Sequence, residues 1–297
     1  MNLEELATEQ RNQKTMQLDD MSIRQIIEVM NEEDMYAVYA VKKAIPQIER
    51  LISFAVEALS ASGRIVYIGA GTSGRLGILD AVECPPTFGV SYNTVVGIIA
   101  GGDNAFVKAK EGAEDSIEEG AEDLKRIGLN EKDLVIGLTA SGRTPYAIGA
   151  VQYAKSVGCV TGAISCNLNS EISEDVDVAV ELETGPEIIS GSTRLKAGTA
   201  EKMVLNMISS ISMIQMGKTY KNFMVDLKST NYKLEQRAIN IVMKATECSR
   251  IQAEKALQEA GQDTKTAIVM LKKECTYAEA KNRLAIAKGR VGKALQD

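Results

Sequence analysis

The sequence contains no histidine and no tryptophan, only five prolines and five cysteines, and aromatic residues at 4% of its 297 positions. The lack of His excludes Ser-His-Asp and Cys-His nucleophile pairs, His-Glu-x-x-His zinc sites and any imidazole proton shuttle. Acid/base chemistry therefore falls to carboxylates, Lys, Tyr or Cys. Cys84, Cys159, Cys166, Cys248 and Cys275 are odd in number and widely spaced, with no Cys-x-x-Cys pair. Neither a zinc ribbon nor a disulfide framework is expected, and reduced thiols in a cytoplasmic protein are. No metal or other cofactor is implied. Residues 1–17 are polar and lack the apolar stretch of a signal peptide, and no apolar run is long enough to span a bilayer. A net charge of -6 argues against nucleic acid as a partner.

What is present is a change of period along the chain. After a polar leader, residues 1–62 read as helical, with a Ser22/Gln25 capping box and a second stretch from about Met35 to Leu59 that Pro46 should kink or restart. From residue 63, short apolar runs appear at Arg64–Ile68, Thr94–Ile99, Leu134–Thr139, Val160–Ser165 and Val178–Leu182. They are continuous rather than alternating, as in strands buried on both faces. Helical patterns between them, including Asn104–Arg126 and Pro145–Ser156, predict an α/β fold with a doubly wound, parallel five-stranded sheet. Helical patterns return at Thr199–Gln215 and again from about Tyr232, with capping boxes at Ser249/Gln252 and Thr276/Glu279 and a stop at Gly261. Residues 231–297 carry 13 Lys and Arg against 8 Asp and Glu, whereas residues 1–230 carry 21 against 32. The expected organisation is a helical segment at 1–62 packing on an α/β domain at 63–230, followed by a small helical domain at 231–297. Mixed charge and two aromatics make that last part a solvated helical surface rather than a nucleic-acid binder.

Gly69-Ala70-Gly71-Thr72-Ser73-Gly74 follows the first strand and fits the dinucleotide pattern Gly-x-Gly-x-x-Gly. The acidic residue that would hold a ribose about 20 positions on is absent. A second hydroxyl-rich loop, Thr139-Ala140-Ser141-Gly142-Arg143-Thr144-Pro145, follows the third strand. Two such loops, each leading into a helix, suit a compact phosphate held by N–H groups and short hydroxyls. The plain alternative is two capped turns. A nucleoside triphosphate site is excluded by the missing Walker Gly-Lys-[Ser/Thr].

Three further stretches carry candidate chemistry. Glu83 precedes Cys84-Pro85-Pro86, which should push Cys84 out of helical geometry and hold Glu83 rigidly as an acid or base, or else simply end a helix at a carboxylate. Glu114 stands among Glu111, Asp115, Glu118 and Glu119, a run that reads as a solvated helix face, and nothing in the residues themselves selects it. Gly112 within that pattern is the oddity, because it weakens a helix without evident return. Gly191-Ser192-Thr193-Arg194-Leu195-Lys196-Ala197-Gly198-Thr199 combines hydroxyls, cations and glycines at a helix start, and reads either as a third wall for an anionic ligand or as a capped start with solvated cations.

Together these motifs resemble one family. The α/β core is similar to the sugar-isomerase (SIS) fold. The stretches Ile68–Gly77, Glu83–Thr87, Glu111–Asp115, Thr139–Tyr146 and Gly191–Thr199, with Thr8–Asn12 and Lys265–Met270, resemble the N-acetylmuramic acid 6-phosphate etherases over nearly the whole chain. Gln13 departs from the Pro that many members carry there. The resemblance implies cleavage of the D-lactyl ether of N-acetylmuramic acid 6-phosphate to N-acetylglucosamine 6-phosphate and D-lactate in cell-wall sugar recycling. The route is elimination from the open-chain aldehyde followed by hydration. It implies Glu83 as the acid that protonates the lactyl oxygen, and Glu114 as the base that takes the C2 proton and later activates water. Gly71, Thr72, Ser73, Thr139, Ser141, Gly142, Thr144, Ser192 and Lys196 are the expected substrate contacts, with no metal. It also implies a UBA-like C-terminal domain and a homodimer with shared sites. The alternatives are a sugar-phosphate isomerase on the same loops and a non-catalytic sugar-phosphate sensor. A SIS-type transcription regulator is excluded because no basic helix-turn-helix is present.

Overall fold

A computed structural model describes residues 6–108, 110–226 and 232–296. They fall into two compact units, one made of the described residues up to 82 with 93–209, the other of 83–92 with 210–296. The expected boundary at residues 230 and 231 lies outside the described residues.

In the first unit, Ser22 caps helix α1 (Ile23–Lys43) through the expected box with Gln25. Helix α1 runs unbroken past Met35. The break falls at Ala44, and α2 (Ile45–Ser60) restarts with Pro46 in its first turn, where a missing N–H leaves no bond unmade. The sheet follows: β1 (Ile65–Gly69), α3 (Gly71–Phe88), β2 (Val95–Ile99), α4 (Asn104–Val107), α5 (Ile117–Arg126), β3 (Leu134–Leu138), α6 (Pro145–Val157), β4 (Val160–Ser165), β5 (Val178–Glu181) and α7 (Lys196–Gln215). The strand order is β2-β1-β3-β4-β5, and every pairing is parallel, with Ile65 opposite both Val95 and Leu134. All five residues of β1 and of β3 are buried, which is why their runs are continuously apolar. After β1 the chain turns to β2 on one side and then returns to β3 on the other. The crevice between the carboxyl ends of β1 and β3 is therefore the switch point, where such sheets bind ligands.

Two expectations fail instructively. Residues 104–126 are not one helix. The four-residue α4 is followed by a 3-10 turn at Ala113–Asp115, and α5 is capped afresh by Ser116, whose Oγ accepts the Glu119 N–H. Gly112 at φ +73° turns the chain left-handed ahead of Glu114, so its cost in a helix is never incurred. Conversely, α3 does not stop before the prolines. Cys84, Pro85 and Pro86 continue it to Phe88, and Gly89 N–H closes it on the Pro85 carbonyl at 2.9 Å. The proline φ is helical, and two lost N–H donors in the final turns are tolerable where 2% exposed Cys84 anchors the buried side.

The second unit is built on β6 (Thr219–Tyr220) and β7 (Phe223–Met224), an antiparallel pair, and on helices α8 (Tyr232–Thr246), α9 (Arg250–Glu259), α10 (Thr264–Lys273), α11 (Tyr277–Ile286) and α12 (Val291–Ala294). The boxes at Ser249/Gln252 and Thr276/Glu279 are both formed, and Gly261 at φ +61° follows α9. Its core is rich in alanine, including Ala245, Ala253, Ala256 and Ala280, which lets short helices pack closely around Ile268 and Val242. Lys265 and Lys218 converge on Asp226 at 2.7 and 2.9 Å. Among the described residues no helix is long and apolar enough to cross a membrane.

Candidate functional site

At the switch point a cleft of about 520 Å³ opens between the two hydroxyl loops. The first wall is the start of α3. Gly71 takes φ +54°, and the first backbone bond of the helix is Gly74 N–H to Ala70 O at 3.0 Å. The N–H groups of Gly71, Thr72 and Ser73 have no partner within the helix, and the positive end of an 18-residue helix stands behind them. The second wall is the Thr139–Pro145 loop. Thr139 Oγ1 lies 2.7 Å from Thr144 Oγ1 and 3.2 Å from Ser141 Oγ, and accepts the Gly142 N–H. The Arg143 N–H donates to Ser141 Oγ at 3.2 Å. These bonds fix the hydroxyls as a set before any ligand arrives, so little ordering is left to binding.

Gly142 does not line the cleft; it shapes the wall. At φ +74° it lies over Ser170, and a Cβ there would stand 2.2 Å from Ser170 Oγ. Ser170 cannot yield easily, because its hydroxyl is bound to Asn167 O at 2.8 Å and to Ser165 Oγ at 2.9 Å. Gly142→Ala is expected to destabilise the fold by about 1–3 kcal/mol and to weaken binding of inorganic phosphate at least about tenfold, read by calorimetric titration.

Gly71, Thr72, Ser73, Thr139, Ser141, Thr144 and Glu114 of the expected set line this cleft together. Glu114 also lines a second cleft of about 160 Å³, shared at Ala70 and Gly71, with Arg75 and Lys110 on its wall. Of its acidic neighbours, Glu111 faces only the second cleft and Asp115 only the first, while Glu118 and Glu119 face neither. Of these five carboxylates Glu114 is the one that lines both clefts. Glu83 is exposed on α3 and belongs to the second unit.

Lys196 is a correction. Expected on the ligand, it is 2% exposed, and its Nζ donates to Glu33 Oε2 at 2.6 Å. Helix α7 begins at Lys196 rather than at Thr199, which turns this side chain inward. Burial pushes the Glu33 carboxyl up, but hydrogen bonds from Lys196, Lys14 and Asn12 outweigh it and hold the group below the usual carboxylate range. Ser192 is half-buried and lines neither cleft, whereas Thr193 lines the first. Glu187 caps α7, accepting Lys196 N–H at 3.2 Å and Ala197 N–H at 2.9 Å.

The polar leader proves to be a strap. Asn12 Nδ2 donates to Glu33 Oε2 at 2.9 Å and to Pro186 O at 3.2 Å, and Thr15 Oγ1 donates to Ile188 O at 2.9 Å. Ser190 Oγ donates to Glu9 O at 3.1 Å, and Asn167 Nδ2 to Thr8 Oγ1 and Ala140 O at 3.0 Å each. Leu6 and Glu9 thereby reach the cleft wall. The signal was there in Thr8–Asn12, a polar motif too specific for a solvated tail. Among the described residues no cluster of three or more Cys, Asp or Glu has the arrangement of a metal site.

A parallel sheet with paired hydroxyl loops at its switch point defines a SIS-domain protein, and residues 117–210 match the SIS domain model. Residues 47–155 match the glucokinase regulatory protein N-terminal SIS domain, and residues 221–265 its C-terminal lid domain. The phosphoheptose isomerase of Neisseria gonorrhoeae shares the fold at TM-score 0.51 and 14% identity, over 64% of this chain and 98% of its own. The N-acetylmuramic acid 6-phosphate etherase of Bacillus cereus is 58% identical over 99% of this chain and 100% of its own length. That of a Geobacillus species is 56% identical over the same shares. The chain belongs to the N-acetylmuramic acid 6-phosphate etherase family.

Proposed function

We propose that this enzyme is a carbon–oxygen lyase that cleaves the D-lactyl ether of N-acetylmuramic acid 6-phosphate, giving N-acetylglucosamine 6-phosphate and D-lactate. The observation that carries the reading is Glu114 standing on the wall of a hydroxyl-lined anion cleft, in a chain 58% identical to a named etherase. The 6-phosphate occupies the loops at Gly71–Ser73 and Thr139–Thr144, supplying binding energy remote from the reacting bond. With the sugar open, the aldehyde acidifies C2–H, and a carboxylate suffices as base. Glu114 takes that proton, the C3–O electron pair leaves with the lactyl oxygen, and Glu83 protonates it. Water then adds at C3. Glu114 loses its proton to solvent, takes one from the attacking water as hydroxide adds at C3, and passes it to C2, while Glu83 regains its proton from solvent. The enzyme works in the cytoplasm, in recycling of cell-wall amino sugars, as a homodimer whose sites share residues.

Turnover in ¹⁸O water tests the route. Label in the sugar fragment containing C3, with unlabelled lactate, is the expected mass spectrum. Label in lactate would mean displacement at the lactyl carbon instead, and sugar-phosphate binding without lactate release would leave a sensor.

A further inference from the structure

Beneath the phosphate loop lies a carboxyl that the reaction does not use. Glu201, on α7, is 1% exposed, and Ser73 Oγ lies 2.9 Å from each of its oxygens. Ser73 is itself 6% exposed and lines the cleft. Among the described residues no cation pairs with Glu201, so a buried negative charge would stand one hydroxyl away from a site built for an anion. The groups around it do not relieve this. From α3 only Ser73 reaches it. From the end of β4 comes the Cys166 thiol, kept neutral by burial and by the charges of Glu201 and Glu187. On α7 itself, the charge of Lys202 acts on Asp80.

A serine hydroxyl has one proton to give. When Glu201 is ionised, that proton goes to the carboxylate and Ser73 offers the cleft only lone pairs. When Glu201 is protonated, its own O–H donates to Ser73 Oγ, and the serine proton is free to turn to a phosphate oxygen. We propose that Glu201 is a positioning residue for the phosphate loop, and that a phosphate monoester dianion binds with uptake of one proton at Glu201, which swings the Ser73 hydroxyl from the carboxyl to the ligand. The proposal rests on the placement of the phosphate given above. Burial pushes the Glu201 carboxyl up to about 7, so both of its states are populated near neutrality.

The test is calorimetric titration of the full-length enzyme with N-acetylglucosamine 6-phosphate at about pH 8, where the ligand is already a dianion, in two buffers of different ionisation enthalpy. The expected result is uptake of about one proton and an affinity that falls about tenfold per pH unit above neutrality. Glu201→Gln, whose amide donates to Ser73 as the acid would, should take up none and bind with an affinity independent of pH over the same range. An infrared difference spectrum of the unsubstituted enzyme gives a second reading, since binding should raise the carbonyl stretch of a protonated carboxyl. Equal proton uptake in both proteins, or binding with no such band, overturns the role of Glu201 alone. Failure of the unsubstituted enzyme to bind the sugar phosphate at any pH overturns the phosphate placement and this proposal with it.

Discussion

Glu114→Gln is expected to slow lactate release by about 10²–10⁴-fold, because the amide keeps the shape of the side chain but cannot take the C2 proton. Phosphate affinity should be unchanged, since the side chain shares the cleft with the hydroxyl loops but makes none of the bonds that organise them. Exchange of C2–H with deuterated solvent separates the two carboxylates. It should vanish in Glu114→Gln and persist in Glu83→Gln, which removes the proton donor for the leaving oxygen but leaves the base. Rapid lactate release by Glu114→Gln would remove that residue from the chemistry.

The second large effect concerns stability. Glu33→Ala takes the hydrogen-bonded carboxylate from the Lys196 ammonium at 2% exposure, leaving it the Tyr36 ring at 5.2 Å and the charge of Glu187. Removing one partner of a buried pair costs about 3–5 kcal/mol, whereas replacing both by apolar groups is close to neutral. Urea unfolding should therefore show a large fall in midpoint for Glu33→Ala and substantial recovery in Glu33→Leu/Lys196→Met, with unchanged slope. The sign with pH follows from the depressed Glu33 carboxyl. Its contribution is complete above the ordinary Glu range and is lost as pH falls through the lower value it has in the fold. Acid should thus erode the native protein more than the double variant. Equal loss in both would mean that the pair is not the source.

The strands were legible to within a residue or two, most of all β1, β3 and β4, whose burial on both faces demands continuous apolar runs. The hydroxyl loops were legible for a related reason, since a tight turn into a helix needs Gly and short polar side chains. Residues 104–126 were not. Their acidic residues fit a helical face, and only the φ of Gly112 reveals that the chain turns there. Lys196 misled because a cation beside hydroxyls and glycines looks the same whether it faces an anionic ligand or a buried Glu33 that is 163 positions away in sequence. The Pro85-Pro86 pair misled in the opposite sense, since a helix in its last turns can spare the donors that prolines lack.

The strap has a consequence for biosynthesis. Its partners at Asn167, Pro186, Ile188 and Ser190 leave the ribosome long after Thr8, Asn12 and Thr15. At about 5–20 residues per second, the two ends of each bond are separated by roughly ten to forty seconds of translation. A nascent chain can pair β1 with β3 well before that, but apart from the bonds of Asn12 and Lys14 to Glu33 its leader has nothing to fasten to until Asn167 and the segment after β5 have been made. The cleft wall is thus closed only once synthesis has passed Ser190, and a product truncated before that point would carry the hydroxyl loops without it.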